Sequence, residues 1–403
     1  MLLATAVATA EDPARLFPAE TKIFIAWDGV FKDWPGVVDR IVEKYPEFVA
    51  DAFDEDVLAA LRLAEDVIRH PGAVGLTRLD MEGDFAVAAF VQPKDAADEK
   101  RMLADLEHVL QSSDWEMQDC RLSGHAMRQG VQEGITINWG AVNGHVLFAV
   151  GANGLDNVVA LIDGSGGASL ADDNSYKDAI RRLPPTSDGG VVIYANAQKM
   201  MDIIRGGMES VGADAEFVEA ILGATGLSSV QYKIIRSSGG WNNWRFDVFA
   251  RINGPYNGIL RAFDQKPLTK EDISLIPEDA YMAYVGNFDL AALWEETLNV
   301  ISEVEPGMLP TVEGGIEAAT PFLGFSIPND LFPAIGDTWA IYNAPETGGP
   351  LGFVMVVDAR DPQKLLAAAQ RINELIDLGV SNVGARLIKK EMKHNGTTIH
   401  YMA

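Results

Sequence analysis

Six histidines, His70, His108, His125, His145, His394 and His400, are the first places to look for chemistry in this chain. A helical zinc site sets two imidazoles on one face through H-x-x-x-H or H-E-x-x-H spacing, and neither spacing occurs. His394 and His400 flank a hairpin and are expected either to meet across its strands or to stay solvated there. The single cysteine, Cys120, excludes an internal disulfide and any multi-cysteine zinc or iron–sulfur site. It is expected to behave as a small, partly buried hydrophobe. No G-x-S-x-G nucleophile elbow is present, and the serines of "SSDW" (112–115) and "SSGGW" (237–241) sit in turns, where hydroxyls cap backbone groups. Neighbouring carboxylates abound: Asp172-Asp173, Glu295-Glu296 and Asp54 to Asp56. An acid/base couple needs one carboxyl in an apolar pocket beside another left ionised, which sequence spacing does not specify. The sequence therefore assigns no catalytic residue, no metal ligand and no cofactor, and it leans away from an enzyme.

A contact surface is easier to place. In "GGWNNWRF", Trp241 and Trp244 differ in phase, so a regular strand turns them to opposite faces. One is expected in the core. The other, with Asn242, Asn243 and Arg245 beside it, forms an exposed aromatic rim suited to a sugar or a protein partner. The helical stretches "KMMDIIRGGM", "FVEAILGATG" and "LPTVEGGIEAATPFLGF" are rich in methionine and small residues. Such helices fill irregular gaps above a sheet, or line a pocket for an apolar ligand. The glycine-rich loop 163–185 lacks both the P-loop lysine and G-x-G-x-x-G spacing, and reads as a flexible connector ending in a helix. Ser175 with Asp178 three residues on is the expected cap of that helix.

The elements that must carry these residues follow from hydropathy. At 403 residues the chain is too long for one ordinary core. Its formal net charge of −26 repels phosphate backbones and anionic headgroups, so nucleic acid and acidic membranes are not expected partners. "MLLATAVATA" (1–10) matches the tail of a secretory signal, an apolar stretch and A-x-A site directly before Glu11-Asp12-Pro13. No later stretch has the uninterrupted apolar length of a membrane span. The expected destination is extracytoplasmic, as a soluble periplasmic or secreted protein.

"LFPAETKIFIAWD" (16–28) returns as "LIPEDAYMAYVGNFD" (275–289). Each delivers the chain through a proline turn and one or two acidic residues, Glu20 or Glu278-Asp279, into a β-branched or aromatic strand. After each come helical patterns, among them "FDEDVLAALRLAEDVIRH" (53–70), whose Val57, Leu58, Leu61, Ala64, Val67 and Ile68 share one face. Then come hairpins and a further helix, with Asn143-Gly144 as a strong turn signal. "GGVVIYANAQKMMDIIRGGM" (189–208) opens a third copy of the pattern. The expectation is an α+β fold: repeated βαββα units of ferredoxin-like flavour, with antiparallel sheets covered by helices on one face. The units fall at 11–187, with extra hairpin strands and a linker helix, at 188–274, and at 275–403, the last reading as shortened at its C-terminal side.

The stretch "GASLADDNSYKDAIRRLPPTSDGGVVIYANAQKMMDII", the two strand openings and "DLFPAIGDTWAIYNAP" together resemble the DUF3352 family of bacterial, largely extracytoplasmic proteins of unknown function. The resemblance runs from about residue 12 to the end and implies export and a repeated α+β architecture. It brings no catalytic residues. The expected function is a non-enzymatic binding or structural role, with an unknown protein, a glycan or a small apolar ligand as partner. A carrier of an apolar ligand in a sheet–helix pocket and a hydrolase with dispersed residues are the alternatives.

Overall fold

The structure, a computed structural model, describes residues 12–29, 36–47, 53–80, 84–111, 115–184, 190–210, 215–238, 245–274, 276–345, 352–382, 389–394 and 397–402. Two compact units are formed, one by residues up to 215 with 230–253, the other by 216–229 with 254 onward.

Among the described residues the first unit has ten strands. They are β1 (Ile23–Asp28), β2 (Pro71–Leu79), β3 (Phe85–Val91), β4 (Glu116–Leu122), β5 (His125–Gln132), β6 (Ile135–Val142), β7 (His145–Val150), β8 (Gly190–Asn196), β9 (Val230–Ser238) and β10 (Arg245–Ile252). They form one sheet in the order β10-β9-β8-β1-β2-β3-β7-β6-β5-β4. Helices α1 (Val37–Lys44) and α2 (Glu55–Arg69) lie between β1 and β2, and α3 (Ala96–Gln111) between β3 and β4. Helices α4 (Asp156–Ile162) and α5 (Asn174–Arg182) precede β8, and α6 (Ala197–Ser210) follows it.

Apolar side chains alternate between two layers, so this sheet is covered on both faces rather than one. Phe24, Phe90 and Leu147 pack with Val158 and Val159 of α4 and Tyr176 and Ala179 of α5. Their strand neighbours Trp27, Val91 and Val146 pack on the opposite side with Val67 of α2 and Met102 of α3. The near-continuous apolar runs "IFIAW", "FAVAAFV" and "HVLFAV" carry this two-sided burial in their composition. The expected stripe of α2 is only half used: Val67 is packed, whereas Val57 and Leu61 are 40% and 41% exposed.

The expected boundary near residue 188 falls within this sheet, because β8 pairs directly with β1. The recurrence itself is clear in the topology. β1-β2-β3 and β8-β9-β10 are each antiparallel meanders. Where two helices rather than one separate the first strand from the second, the chain returns antiparallel to the strand it left. A ferredoxin-like split βαβ uses one helix and returns parallel. The loop after α4 is docked, not free: Leu170 N–H donates to the Phe17 carbonyl at 2.7 Å, and Leu170 is fully buried. The cap of α5 is Asp173, whose carboxylate accepts from the N–H groups of Ser175 (2.7 Å) and Tyr176 (3.1 Å). Asp178, the expected capping partner, instead accepts from the Tyr232 hydroxyl.

The second unit includes most of α7 (Ala215–Ala224) and a three-stranded antiparallel sheet in the order β11-β12-β13. Its strands are β11 (Met282–Asn287), β12 (Ile335–Asn343) and β13 (Val354–Ala359). Helices α8 (Leu290–Val304) and α9 (Leu309–Leu323) separate β11 from β12, so the meander with a helical insertion occurs a third time. Helix α10 (Pro362–Asn382) follows, then a hairpin of β14 (Lys389–His394) and β15 (Thr397–Met402). Its register sets His394 opposite Thr397 and His400 opposite Glu391, so the two histidines are not cross-strand partners.

Candidate functional site

Two side-chain clusters of the first unit bring polar groups together around a cavity. The first lies among α1, α2 and α3. His70, 1% exposed, ends α2, and its Nδ1 lies 2.9 Å from the Asp66 carbonyl. Its Nε2 is 2.8 Å from Asp98 Oδ2, close enough for an ion pair though off the hydrogen-bond direction. Asp98 also accepts from the Lys94 N–H at 3.0 Å and from Arg101 at 2.6 Å. Burial works to push this carboxyl up; the Lys94 N–H, Arg101 and His70 together outweigh it and hold it at about 2. Arg101 further binds Asp66 (2.7 Å) and Asp105 (3.2 Å). Arg62 binds Asp39 at 2.9 Å and Arg69 binds Glu65 at 2.6 Å. A cleft of about 330 Å³ runs between these groups. Three arginines in one cleft suggest an anion site, but each one already holds a carboxylate. The cluster works as a clasp between helices.

The second cluster is a basin at the far end of the sheet. Two-residue turns at Ser123-Gly124, Glu133-Gly134 and Asn143-Gly144 join β4 to β7, and in each both residues have positive φ. That is the type I′ geometry that matches strand twist and fixes register. Gln118 is thereby set opposite Gln129, and Gln129 opposite Asn138. Their amides form a ladder: Gln118 Nε2 donates to Gln129 Oε1 at 2.6 Å, and Gln129 Nε2 to Asn138 Oδ1 at 3.1 Å. Every bond runs in one direction, which leaves the Nδ2 of Asn138 as the donor end.

The ladder borders a cavity of about 290 Å³ lined by the apolar Leu122, Met127 and Leu155 and by the polar Arg121, Thr136, Asn153 and Asp156. Gly140 makes room for Met127, since a Cβ there would stand 2.5 Å from Met127 Sδ. Beside it, His125 Nε2 reaches the Asp163 carboxylate at 3.0 Å and ties β5 to the end of α4. Burial pushes the Asp156 carboxyl up, with no cation contributing. Cys120 also lines the cavity, and burial, with Asp119 adding to it, pushes its thiol up. A thiol so disposed is a poor nucleophile, because the thiolate is the reactive form. The basin offers hydrogen bonds beside apolar side chains, an arrangement for holding a molecule.

Of the contact residues expected from sequence, Trp241, Asn242, Asn243 and Trp244 lie outside the described residues. Arg245 opens β10, where Nε and Nη2 both donate to Asp247 Oδ1 at 2.9 and 2.8 Å. The carboxylate pairs have structural roles: Asp173 caps α5 and binds Lys199 at 2.9 Å, and Glu296, 7% exposed, binds Arg261 at 2.7 Å. Among the described residues no group of three or more histidines, cysteines and carboxylates is placed to hold a metal ion. Sequence reading passed over the basin, although its signal was present: three X-Gly turns fix the strand register, and the register aligns three amides.

No family model matches the chain, and no curated protein sequence matches it. Among solved structures it is similar to crystal form III of TP0453, with a TM-score of 0.33 at 9% identity over 66% of this chain and 85% of that one. Crystal form IV of TP0453 gives a TM-score of 0.31 at 9% identity over 59% of this chain and 79% of that one.

Proposed function

We propose that this is an extracytoplasmic protein with a non-enzymatic binding role, and that the basin on β4–β6 holds a small, neutral, hydroxyl-rich ligand such as a saccharide. The observation that carries the reading is the one-way amide ladder ending at Asn138 beside Thr136, Asn153 and a desolvated Asp156. Amides and a carboxylate can accept from and donate to vicinal hydroxyls, and Leu122, Met127 and Leu155 suit the apolar face of a sugar ring. A half-buried carboxylate whose pKa is raised by burial alone accepts from hydroxyl donors and repels an anion. The leader-like "MLLATAVATA" and the resemblance to DUF3352 support export, as does a surface at −26 that favours solubility. No described helix is long and apolar enough to cross a membrane.

Titration calorimetry of the full chain against neutral mono- and disaccharides tests the reading. At least one sugar should bind, and Asn138→Ala and Thr136→Val should each weaken it about tenfold, as loss of one good hydrogen bond does. Binding unchanged in both variants, or no binding at millimolar sugar, would remove the basin from consideration. A second reading, a carrier of an apolar ligand, has its own support in the second unit. A cavity of about 350 Å³ is lined there by Phe325, Leu331, Ala367 and Ala368, with Lys364 and Arg371 at its edge. Native mass spectrometry of freshly purified protein should then show a bound lipid-sized mass.

A further inference from the structure

We propose that the outer edge of β11, with which no other strand pairs among the described residues, is a self-association site, against which a second copy of this chain lays its own β11 antiparallel about a two-fold axis. The inference does not depend on the basin. Its first support is a template within the molecule. β1 and β8 are the opening strands of the first two repeats, and they pair directly and antiparallel, Ile25 opposite Ile193 and Trp27 opposite Val191. The run β3-β2-β1-β8-β9-β10 is therefore two three-stranded units joined opening strand to opening strand, as a two-fold axis would join identical copies. The third repeat has the same meander, but among the described residues β11, its opening strand, ends its sheet, with only its C-terminal end engaged, where Asn287 Nδ2 donates to the Lys266 carbonyl and the Asp289 N–H to the Ala262 carbonyl.

The chemistry of that edge is the second support. Residues 280–288, Ala-Tyr-Met-Ala-Tyr-Val-Gly-Asn-Phe, contain neither charge nor proline. Tyr281, Met282 and Tyr284 are 61%, 55% and 66% exposed. Edge strands are ordinarily protected by charges, prolines or bulges. The end strands of the larger sheet follow that rule, β4 with Glu116, Asp119 and Arg121, β10 with Arg245, Asp247 and Arg251. Two copies of a chain at −26 repel each other almost everywhere, and an uncharged seam lets backbones approach without burying like charges.

The template also sets the register. Matching Pro18 to Pro277 places Ala26 on Val285 and Ile25 on Tyr284. Matching the helix caps Asn196, which accepts from the Lys199 N–H at 3.1 Å, and Asp289, which accepts from the Ala292 N–H at 2.9 Å, places Val192 on Val285 and Ile193 on Gly286. The pair Ala26–Val192 then becomes Val285 opposite Val285 of the second copy, on the axis. Ile25–Ile193 becomes Tyr284 opposite Gly286 of the second copy, where an exposed ring meets a residue without a side chain.

Sedimentation velocity of the full chain should show a concentration-dependent monomer–dimer equilibrium. The double variant Met282→Lys/Tyr284→Lys should sediment as monomer with its thermal midpoint unchanged, since both side chains are exposed. In a Cys120→Ala background, Val285→Cys should form a disulfide-linked dimer on mild oxidation. Tyr281→Cys, set by the register opposite Asp289 rather than itself, should not. A monomer at every concentration, a dimer that survives both lysines, or cross-linking at 281 as fast as at 285 would each overturn the proposal.

Discussion

The helix clasp is built from charged residues and the strand basin mainly from amides, and their groups are committed differently. In the clasp, Arg62, Arg69 and Arg101 each meet a carboxylate, and buried His70 lies between the Asp66 carbonyl and Asp98. In the basin, the Gln118–Gln129–Asn138 ladder stops at an amide nitrogen, and Asp156 is desolvated with no cation contributing to its shift. The difference teaches how to separate structure from function in a chain crowded with charge. Polar groups that satisfy one another hold elements together, and polar groups aimed at a cavity with capacity left over are set for a ligand.

The sharpest break of that comparison is Asp98→Ala. It leaves His70 and Arg101 without their shared carboxylate and should destabilise the first unit by about 3 kcal/mol, the scale for removing one partner of a buried ion pair. Chemical denaturation measures it. Next in size is Tyr232→Phe, which removes a hydroxyl donating to Asp178 and should cost about 1 kcal/mol in the same assay. A pH scan sharpens the picture of the clasp. Asp98 titrates at about 2 in the folded chain, below its ordinary value of 3.8, so its stabilisation is complete above that ordinary value and is lost as pH falls toward 2. Asp98→Asn should flatten this acid limb, and an unchanged limb would mean that other carboxylates govern it. The smallest stability effect belongs to the basin. Asn138→Ala should leave the thermal midpoint nearly unchanged while weakening ligand binding about tenfold, the reverse of the Asp98 result. Cys120 gives a further contrast: with its thiol pushed up by burial, alkylation at mildly alkaline pH should run slower than for a free thiol and recover on unfolding.

Much of the frame is legible in sequence because burial leaves periodic traces. The two proline-led openings mark β1 and β11, "GGVVIYANAQ" marks β8, and Asn143-Gly144 marks the β6–β7 turn. Strand β4 escapes notice, since "EMQDCRL" is an end strand whose charges mask its alternation. The joining of two repeats into one sheet is also hidden, because edge-to-edge pairing is backbone chemistry that side-chain patterns do not record. For the candidate site the same limit applies. Gln118, Gln129 and Asn138 are far apart in sequence, and only a register set by three type I′ turns makes them one ladder. The clasp is hidden for another reason: in an acidic chain every arginine has many possible partners, and only packing selects Asp98 for both His70 and Arg101.

The most direct test of the binding role is saccharide titration of the wild-type chain beside Asn138→Ala and Asp98→Asn. The account predicts equal affinity for wild type and Asp98→Asn, and about tenfold weaker binding by Asn138→Ala, under conditions where all three are folded. Equal binding by Asn138→Ala and wild type, or silence from wild type across the panel, would contradict it.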